Sequence, residues 1–436
     1  RATSPETIRL ETALKPAART DASAYSLYQL LRPGAIAAPY ALYAKIRELE
    51  PVHWDPFLNS WVITSYAECV LALQRFKAFR TPSQERLDAM ELGSLKPYAQ
   101  VMLQQLLFID PPSHTRIRSL CSAAFTPGRM ELMRTRLTAM AHKLVDAVAA
   151  RGSMDLVAEF ARPFPGLVLA TLIGLPEKDV DQLLHWVGDV SELLGNFEHD
   201  PDRIEGLVCS VEELKAYLTA VLHEQRKEQE QGNAGEGVMP AMIAAEVDGE
   251  PKLTDDEIVA NVMLMVGGGL EEPANLICAG MLSMLERPGT LELLASKPEL
   301  MTSGIEELLR FNSPTQHTGR VAPEDVMLGG KQIKQGQAVT IVMAAANRDP
   351  QRFADPDSLE LAREDNRHLA FGWAAHYCLG APLARLAGQI AFTVLTERLE
   401  DIQLGQGKPR WREMAAMRGL TYLPLTFRTK SRETKF

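Results

Sequence analysis

The chain is poor in the features that identify disulfide-rich and zinc-binding proteins. It holds only five cysteines in 436 residues, and Cys69, Cys121, Cys209, Cys278 and Cys378 stand singly, without a repeated spacing. Neither a disulfide framework nor a structural zinc site is therefore indicated, and a reducing, cytoplasmic location is expected. A lone cysteine is most often a small buried hydrophobe, and we interpret all of them but the last in this way.

Long apolar runs and an excess of basic residues are also absent. No segment reaches the roughly 18 apolar residues of a membrane span, and residues 1–30 contain no stretch typical of a signal peptide. Lys and Arg number 46 against 56 Asp and Glu, a formal net charge of −10, which argues against nucleic acid as a partner. Hydrophobic residues make up 46% of the chain, enough for a sizeable core, so we expect a globular protein without a membrane anchor.

Apolar residues recur at helical spacing through most of the chain, which predicts one mainly α-helical domain over residues 1–436 with small β-sheets. A helix is expected near Pro39 to Leu49 and a hairpin from Val52 to Thr64. Residues 1–36 are interpreted as a weakly patterned N-terminal extension, and residues 430–436 as a disordered tail. Further helices are expected at 129–150, 164–173, 178–194, 204–228 and 255–287, and strands at 325–334 and 337–343.

The helix at 255–287 is unusual in its middle. A capping box, Thr254-x-x-Glu257, begins it, and its length of about 50 Å is enough to cross the domain. Its apolar run is interrupted by Gly267-Gly268-Gly269-Leu270-Glu271-Glu272-Pro273, where three glycines and a proline predict a local opening. Two acids in a buried segment cost free energy unless they have a partner or a task. They indicate a functional site or, in the structural alternative, contact with an arginine or a water-filled groove, with the glycines admitting a neighbouring helix.

Cys378 differs from the other cysteines in its neighbours. It lies in residues 368–382, HLAFGWAAHYCLGAP, and the helical spacing that follows Pro382 places it just before a helix N-terminus. Unsatisfied N–H groups at such an end favour an anion, so a thiolate is expected there. Gly380 allows backbone to approach the sulfur closely. The pair His376-x-Cys378 could also suggest zinc, but no Cys-x-x-Cys lies near it in the sequence to complete four ligands, so zinc is disfavoured.

This segment resembles the haem-binding loop of the cytochrome P-450 superfamily, whose pattern is Phe-x-x-Gly-x-[His/Arg]-x-Cys-x-Gly. Phe371, His376, Cys378 and Gly380 match it, whereas Ala374 stands where the family usually has glycine. The resemblance implies haem b as cofactor, with Cys378 as the metal ligand and Phe371 and Gly380 among the haem-binding residues. It also implies the cytochrome P-450 fold, with haem between the long central helix and the helix that follows the cysteine.

Other motifs of this family follow in its usual order, so that the resemblance runs from about residue 37 to about residue 427. Glu307-x-x-Arg310 matches the family's Glu-x-x-Arg, and residues 353–363 resemble the segment that adds an arginine, here Arg363, to that pair. The resemblance implies that four basic residues contact the haem propionates: His114, Arg118, Arg320 and His368.

On the other side of the haem the chain departs from the family, which usually has a threonine where this sequence has Glu272. A carboxyl accepts and donates protons, so one hypothesis is that Glu272 takes over proton relay, with Glu271 linking it to solvent. These two acids are the candidate catalytic residues. A second hypothesis is a peroxide-driven peroxygenase. The rival from another class is a haem protein that binds a ligand without oxygenase turnover.

The resemblance implies a monooxygenase that inserts one oxygen atom from dioxygen into a hydrophobic small molecule. The reaction is expected to be hydroxylation of a natural product or oxidative O-dealkylation, since some O-demethylating members carry a Glu-Pro pair at this place. Electrons are expected from a separate ferredoxin or flavodoxin, with Arg116 and Arg385 as candidates for its docking face. Five apolar or mixed segments are expected to contact the substrate: 85–106, 180–196, 263–270, 314–318 and 417–420.

Overall fold

The chain is mainly helical with small sheets, as the sequence predicts, in a computed structural model that describes residues 24–122, 125–195, 201–233, 235, 237–247, 250–251 and 253–430. Its α-helices are α1 (Tyr40–Leu49), α2 (Tyr66–Arg75), α3 (Gln84–Ala89), α4 (Lys96–Met102), α5 (Ser113–Ser122), α6 (Pro127–Ala149), α7 (Pro163–Ile173), α8 (Val180–Gly195), α9 (Pro201–Glu230), α10 (Val238–Ile243), α11 (Asp255–Leu285), α12 (Thr290–Ser296), α13 (Met301–Phe311), α14 (Met343–Ala346) and α15 (Ala381–Arg398). Its strands are β1 (Val52–Asp55), β2 (Ser60–Ile63), β3 (Ser153–Asp155), β4 (Glu246–Val247), β5 (Glu250–Pro251), β6 (Thr318–Val321), β7 (Val326–Leu328), β8 (Lys331–Ile333), β9 (Ala338–Ile341), β10 (Leu399–Leu404), β11 (Arg410–Trp411), β12 (Leu420–Tyr422) and β13 (Pro424–Thr429).

The sheets are small and lie beside the helices. The largest has four strands in the order β1-β2-β9-β6, with β2 and β9 parallel and the other two pairs antiparallel. A second sheet, β10-β13-β3, is antiparallel, and the remaining strands form two-stranded ribbons. Strand β6 is the edge strand of the four-stranded sheet and begins at Thr318, the last residue of the predicted substrate segment 314–318, so this sheet positions one wall of the site.

Part of the predicted N-terminal extension belongs to the packed fold, and the prediction was wrong there. Short 3-10 helices span Leu27–Leu31 and Ala35–Ala37, and the side chains of Leu27 and Leu30 are buried. The Asp55 carboxylate, itself buried, accepts hydrogen bonds from the Ser26 hydroxyl and the Leu27 N–H. Short 3-10 turns carry no sustained apolar period, so the sequence pattern missed them. Residues 1–23 and the tail beyond residue 430 lie outside the described residues.

The long helix α11 begins with the predicted capping box and crosses the core. Its 31 residues span about 46 Å at 1.5 Å per residue. The prediction of a local opening at Gly267–Pro273 was wrong, because the helix stays continuous past Pro273. An ideal Cβ on Gly269 would lie 2.7 Å from Leu169 Cδ1, so this glycine lets α7 approach closely, as the structural alternative held. Packing on both sides outweighs the one hydrogen bond that proline removes.

In the part of the chain that the structure describes, every helix is too short or too polar to cross a membrane.

A buried ionic cluster fixes α13 to the irregular segment before the cysteine loop, as predicted. Glu307 accepts two 2.7 Å hydrogen bonds from Arg310 and contacts Arg363 Nε at 3.1 Å. Both Glu307 and Arg310 are fully buried. Arg310 Nη1 also donates to the carbonyl oxygens of Asn347 and Pro356, and its Nη2 donates to that of Ser358. Every charge in the cluster therefore has partners.

Candidate active site

A cavity of about 660 Å³ lies between α11 and the chain around the start of α15. All five segments predicted to contact a substrate contribute to its lining. They do so through Tyr98, Leu193, Met265, Thr315 and Met417, among others. Most of the lining is apolar, which suits a hydrophobic ligand.

Cys378 lies on the wall of this cavity, just before α15. Its N–H donates to the Phe371 carbonyl at 2.8 Å, which closes the loop, and Gly380 caps the helix. Burial raises the pKa of the Cys378 thiol to about 11, reinforced by Glu272 across the cavity and opposed by the Gly380 N–H, Arg118 and Arg385. Cys378 itself is exposed to the cavity, and the thiolate expected at the helix N-terminus stays a prediction. The anionic form needs a cation bound at the sulfur, as a metal provides.

Ala374, the departure from the family's glycine, adopts a left-handed backbone conformation with φ of 58°. A Cβ is disfavoured in this region, by roughly 1 kcal/mol or more, because it approaches the carbonyl oxygen. The turn that a glycine usually makes is thus kept at a cost in backbone strain. The methyl group of Ala374 is exposed.

We expect Ala374→Gly to raise the free energy of unfolding by about 1 kcal/mol, because it removes this strain. Urea titration followed by far-UV circular dichroism measures the change. Ala375→Gly is the matched control, since Ala375 is equally exposed but has no left-handed backbone, and there glycine is expected to destabilise by about 0.5–1 kcal/mol. Equal effects of the two substitutions would contradict the strain.

Basic groups gather at one side of the cavity, and three of the four predicted propionate contacts are among them. His114 and Arg118 from α5 and Arg320 from β6 line the cavity. Beside them lies His376, whose ring centroid is 4.2 Å from that of His114. His114 Nε2, His376 Nε2 and Arg320 Nε are buried without a hydrogen-bond partner among the described residues. Such groups are costly unless a ligand pairs with them, so this wall is built for an anion.

The two histidines in this group are neutral near pH 7. Burial, with Arg320 and His114, lowers the pKa of His376 to about 3. Burial and Arg118 also lower the pKa of His114. The arginines therefore supply the positive charge, and the imidazoles contribute neutral N–H donors.

His368, the fourth predicted contact, lies close to the cavity, with its ring centroid 6.0 Å from that of the lining residue Phe371. It is buried but does not line the cavity, and its Nε2 lies 3.2 Å from Glu306 Oε2. Glu306 also accepts hydrogen bonds of 2.7 and 2.8 Å from Arg385. Arg385 is thus paired within the chain, and Arg116 pairs with Glu257, so neither predicted docking residue presents an unpaired charge.

Two functional candidates were missing from the predicted site residues. His376 belongs to the matched motif, and its spacing of two before the cysteine was the available signal. Arg80 lines the cavity from the segment between α2 and α3, where no sequence pattern distinguishes it from a surface arginine. Phe371 and Gly380 line the cavity as expected.

The neighbouring acids of α11 point to different surroundings. Glu272 lines the cavity, and its Oε1 accepts a 3.2 Å hydrogen bond from the Thr315 hydroxyl. Burial raises the pKa of Glu272 to about 7, and Glu271 adds to this effect while Thr315 opposes it. This carboxyl can therefore hold or release a proton near neutral pH.

Glu271 faces away from the cavity towards two arginines. Its side chain is 3% exposed, and its Oε2 accepts a 2.6 Å hydrogen bond from Arg412. Its Oε1 lies 3.7 Å from Arg162, whose side chain is 32% exposed. The structural alternative, an acid beside an arginine, therefore describes Glu271, whereas Glu272 lies in the site.

Comparison with protein families and known structures places these features in context. Residues 94–424 match the family model described as Cytochrome P450. The chain is 34% identical over 395 residues to the biotin biosynthesis cytochrome P450 of Bacillus subtilis, covering 89% of this chain and 96% of that protein. It is 31% identical over 396 residues to the 6-deoxyerythronolide B hydroxylase of Saccharopolyspora erythraea, covering 88% and 95%.

Solved structures agree. The crystal structure of P450BioI in complex with an acyl carrier protein bearing hexadec-9Z-enoic acid matches with a TM-score of 0.83 and 31% sequence identity. The match covers 90% of this chain and 99% of that one, so the likeness extends over the whole fold.

Proposed function

We propose that this chain, which belongs to the cytochrome P450 family and is a monooxygenase, oxidises a hydrophobic small molecule with a proton relay through Glu272. The proposed reaction is hydroxylation of a natural product or oxidative O-dealkylation, with electrons from a separate ferredoxin or flavodoxin. The observation that carries this proposal is that Cys378 and Glu272 line one largely apolar cavity beside arginine and histidine side chains with buried nitrogens that lack a hydrogen-bond partner among the described residues.

Members of the family bind haem b, and the described residues fit this group. Cys378 would ligate the iron, and the nitrogens of His114, Arg320 and His376 that lack a hydrogen-bond partner among the described residues, with Arg118, would hold the two propionates. When bound, a thiolate-ligated haem activates dioxygen for insertion into a C–H bond. The residues of the chain orient the substrate, exclude water and move protons.

Glu272 is placed to donate a proton inside the cavity, where the Thr315 hydroxyl fixes the orientation of its carboxyl. Reprotonation would come through Glu271, the adjacent residue on α11. Because consecutive helical side chains do not face each other, Glu271 must release Arg412 or act through water to reach Glu272. Arg162, which is partly exposed, would connect Glu271 to bulk water.

We expect Glu272→Gln to reduce coupling, the product formed per reductant consumed, by about tenfold or more, because glutamine cannot relay a proton. In the wild type, coupling should be high below pH 7 and fall as the pH rises through about 7, where Glu272 loses its proton. Among the described residues, Glu271 and Cys378 interact electrostatically with Glu272, and the titratable His317 lines the same cavity. The variant should lack this transition.

Glu286→Gln is the control for this substitution, since Glu286 is exposed at the end of the same helix. Glu272→Asp should restore part of the coupling. Coupling in Glu272→Gln equal to that of the wild type, with the same pH profile, would refute the relay.

One experiment separates the proposed function from its alternatives. The haem-loaded protein is supplied with a ferredoxin or flavodoxin, a reductase and ¹⁸O₂, and is tested with terpenes, fatty acids, macrolides and aryl ethers. Substrate-dependent product containing one ¹⁸O atom supports the monooxygenase. Product from hydrogen peroxide alone supports the peroxygenase. Ligand binding without dioxygen consumption or product in either arm would leave only a ligand-binding haem protein.

A further inference from the structure

Tyr98 on α4 presents an unused hydroxyl inside the cavity. Its side chain is 7% exposed and lines the cavity, and the hydroxyl has no hydrogen-bond partner among the residues that the structure describes. Burial raises the pKa of this phenol above its usual range, and Arg80 opposes the effect, so the two side chains lie close enough to interact. A buried hydroxyl without a partner costs free energy, which a ligand accepting its proton would recover.

Arg80 is a half-buried cation that pairs with no acid among the described residues. Its guanidinium lies 4.5 Å from the centre of the Phe108 ring, and only its Nη1 is held, by the carbonyl oxygens of Ala78 and Leu107. No described carboxylate lies within ion-pair distance of it. The nearest acid in its electrostatic surroundings, Asp110, accepts instead from the N–H groups of Ala78 and Phe79.

The lack of counter-charge is visible in the Arg80 pKa. Burial, reinforced by Arg320, lowers it to about 9, while Tyr98 and Asp110 oppose the shift only in part. The guanidinium is still charged at pH 7. A half-buried charge with this little compensation is stabilised when an anion approaches it.

The described lining of the cavity carries three arginines, Arg80, Arg118 and Arg320, against a single carboxyl, Glu272. Under the proposed function, Arg118 and Arg320, with their neighbouring histidines, account for the two haem propionates. Arg80 is then left over. It lines the same cavity as Tyr98, which belongs to the segment predicted to contact the substrate.

We propose that Arg80 and Tyr98 form a carboxylate-binding subsite, which holds the acidic group of an otherwise apolar substrate. The guanidinium would donate charge-assisted hydrogen bonds to the carboxylate and the phenol a third. This proposal deepens the proposed function and rests on it. Only if a bound haem occupies Arg118 and Arg320 through its two propionates is Arg80 available for a substrate. The other source of the same chemistry is a haem propionate itself, and the experiment has an arm for each source.

The substrate arm measures dissociation constants by equilibrium dialysis on the haem-loaded protein. Three acids of different shape, tetradecanoic, abietic and naphthylacetic acid, are each compared with their methyl ester. In the wild type we expect at least one acid to bind about tenfold or more tightly than its ester, as a charge-assisted bond allows. Arg80→Gln should bring this ratio close to one, Arg80→Lys should keep part of it, and Tyr98→Phe should lower it a few-fold.

The haem arm measures the rate of haem transfer to excess apomyoglobin from the same variants. If the carboxylate belongs to the substrate, transfer from Arg80→Gln matches the wild type. If it belongs to a propionate, transfer from this variant is about tenfold faster and the acid-to-ester ratio stays unchanged. The first result supports the substrate subsite, and the second contradicts it and assigns Arg80 to a haem propionate.

The controls lie outside the cavity. Tyr43→Phe also removes a buried hydroxyl, one that bonds to Gln316, and Arg203→Gln removes an exposed arginine. Both should leave the two measurements unchanged. Tyr98→Phe keeps the test decisive if Arg80→Gln does not fold.

The subsite is overturned if no acid is preferred over its ester and haem transfer is the same in the wild type, Arg80→Gln and Tyr98→Phe. Both arms measure binding without turnover. Failure of oxygenation with an intact acid preference would therefore refute the proposed function and leave the subsite standing.

Discussion

Cys378→Ser is expected to lower oxygenation to the level of protein without haem, the largest functional effect of any substitution considered. Serine has nearly the same size, so the loop can still close through the 2.8 Å bond from the N–H of residue 378 to the Phe371 carbonyl. It supplies no thiolate, however, and the electron density that a sulfur ligand gives the iron is lost. Product formation from the responsive substrate of the panel measures the effect.

Cys209→Ser is the matched control, because Cys209 is also exposed but lies on α9 and is not among the residues that line the cavity. It should retain wild-type activity. Full activity in Cys378→Ser would contradict the assignment of the ligand.

Glu307→Gln is expected to destabilise the protein by about 3–5 kcal/mol, the largest effect on stability. The substitution leaves Arg310 and Arg363 buried with no negative charge between them. Since this cluster fixes the segment before the cysteine loop, the yield of haem-loaded protein should fall as well. Urea unfolding, with haem content measured in parallel, tests both effects.

The chain offers a control at the same arginine. Glu360 also contacts Arg363, at 3.6 Å, but its side chain is 60% exposed. Glu360→Gln should therefore cost no more than about 1 kcal/mol. If Glu307→Gln and Glu360→Gln lowered the free energy of unfolding by similar amounts, burial of the carboxylate would not explain the stability of the cluster.

Features that follow from local spacing were predictable from the sequence. The capping box at Thr254, the helix after Cys378 and the Glu307–Arg310 pair each depend on residues a few positions apart, and the structure contains all three. The segments that line the cavity were predictable as well, because apolar segments that line a pocket keep their character whatever their exact orientation.

Features that depend on packing between distant segments were not predictable. His368 is bound to Glu306, 62 positions earlier in the chain, and nothing in its own neighbourhood indicates that partner. Pro273 suggested a break in α11, but the close packing of α7 at Gly269 keeps the helix continuous. Arg80 enters the cavity from a segment with no motif, so only the fold reveals it.

The two neighbouring acids illustrate the same limit. As a pair, Glu271 and Glu272 indicated a functional site, but their separate roles depend on what each side chain contacts. Arg412 and Arg162 surround one, and Thr315 and the cavity surround the other. These partners lie more than 40 positions from the acids along the chain, so the sequence leaves the two equivalent.

The central claim, that Cys378 binds haem iron through its thiolate, is tested most directly by the absorption spectrum of the reduced wild-type protein with carbon monoxide. We expect a Soret band at the long-wavelength position of thiolate-ligated haem, and its loss in Cys378→Ser. A Soret band at the position of histidine-ligated or unligated haem in freshly prepared wild-type protein would contradict the account.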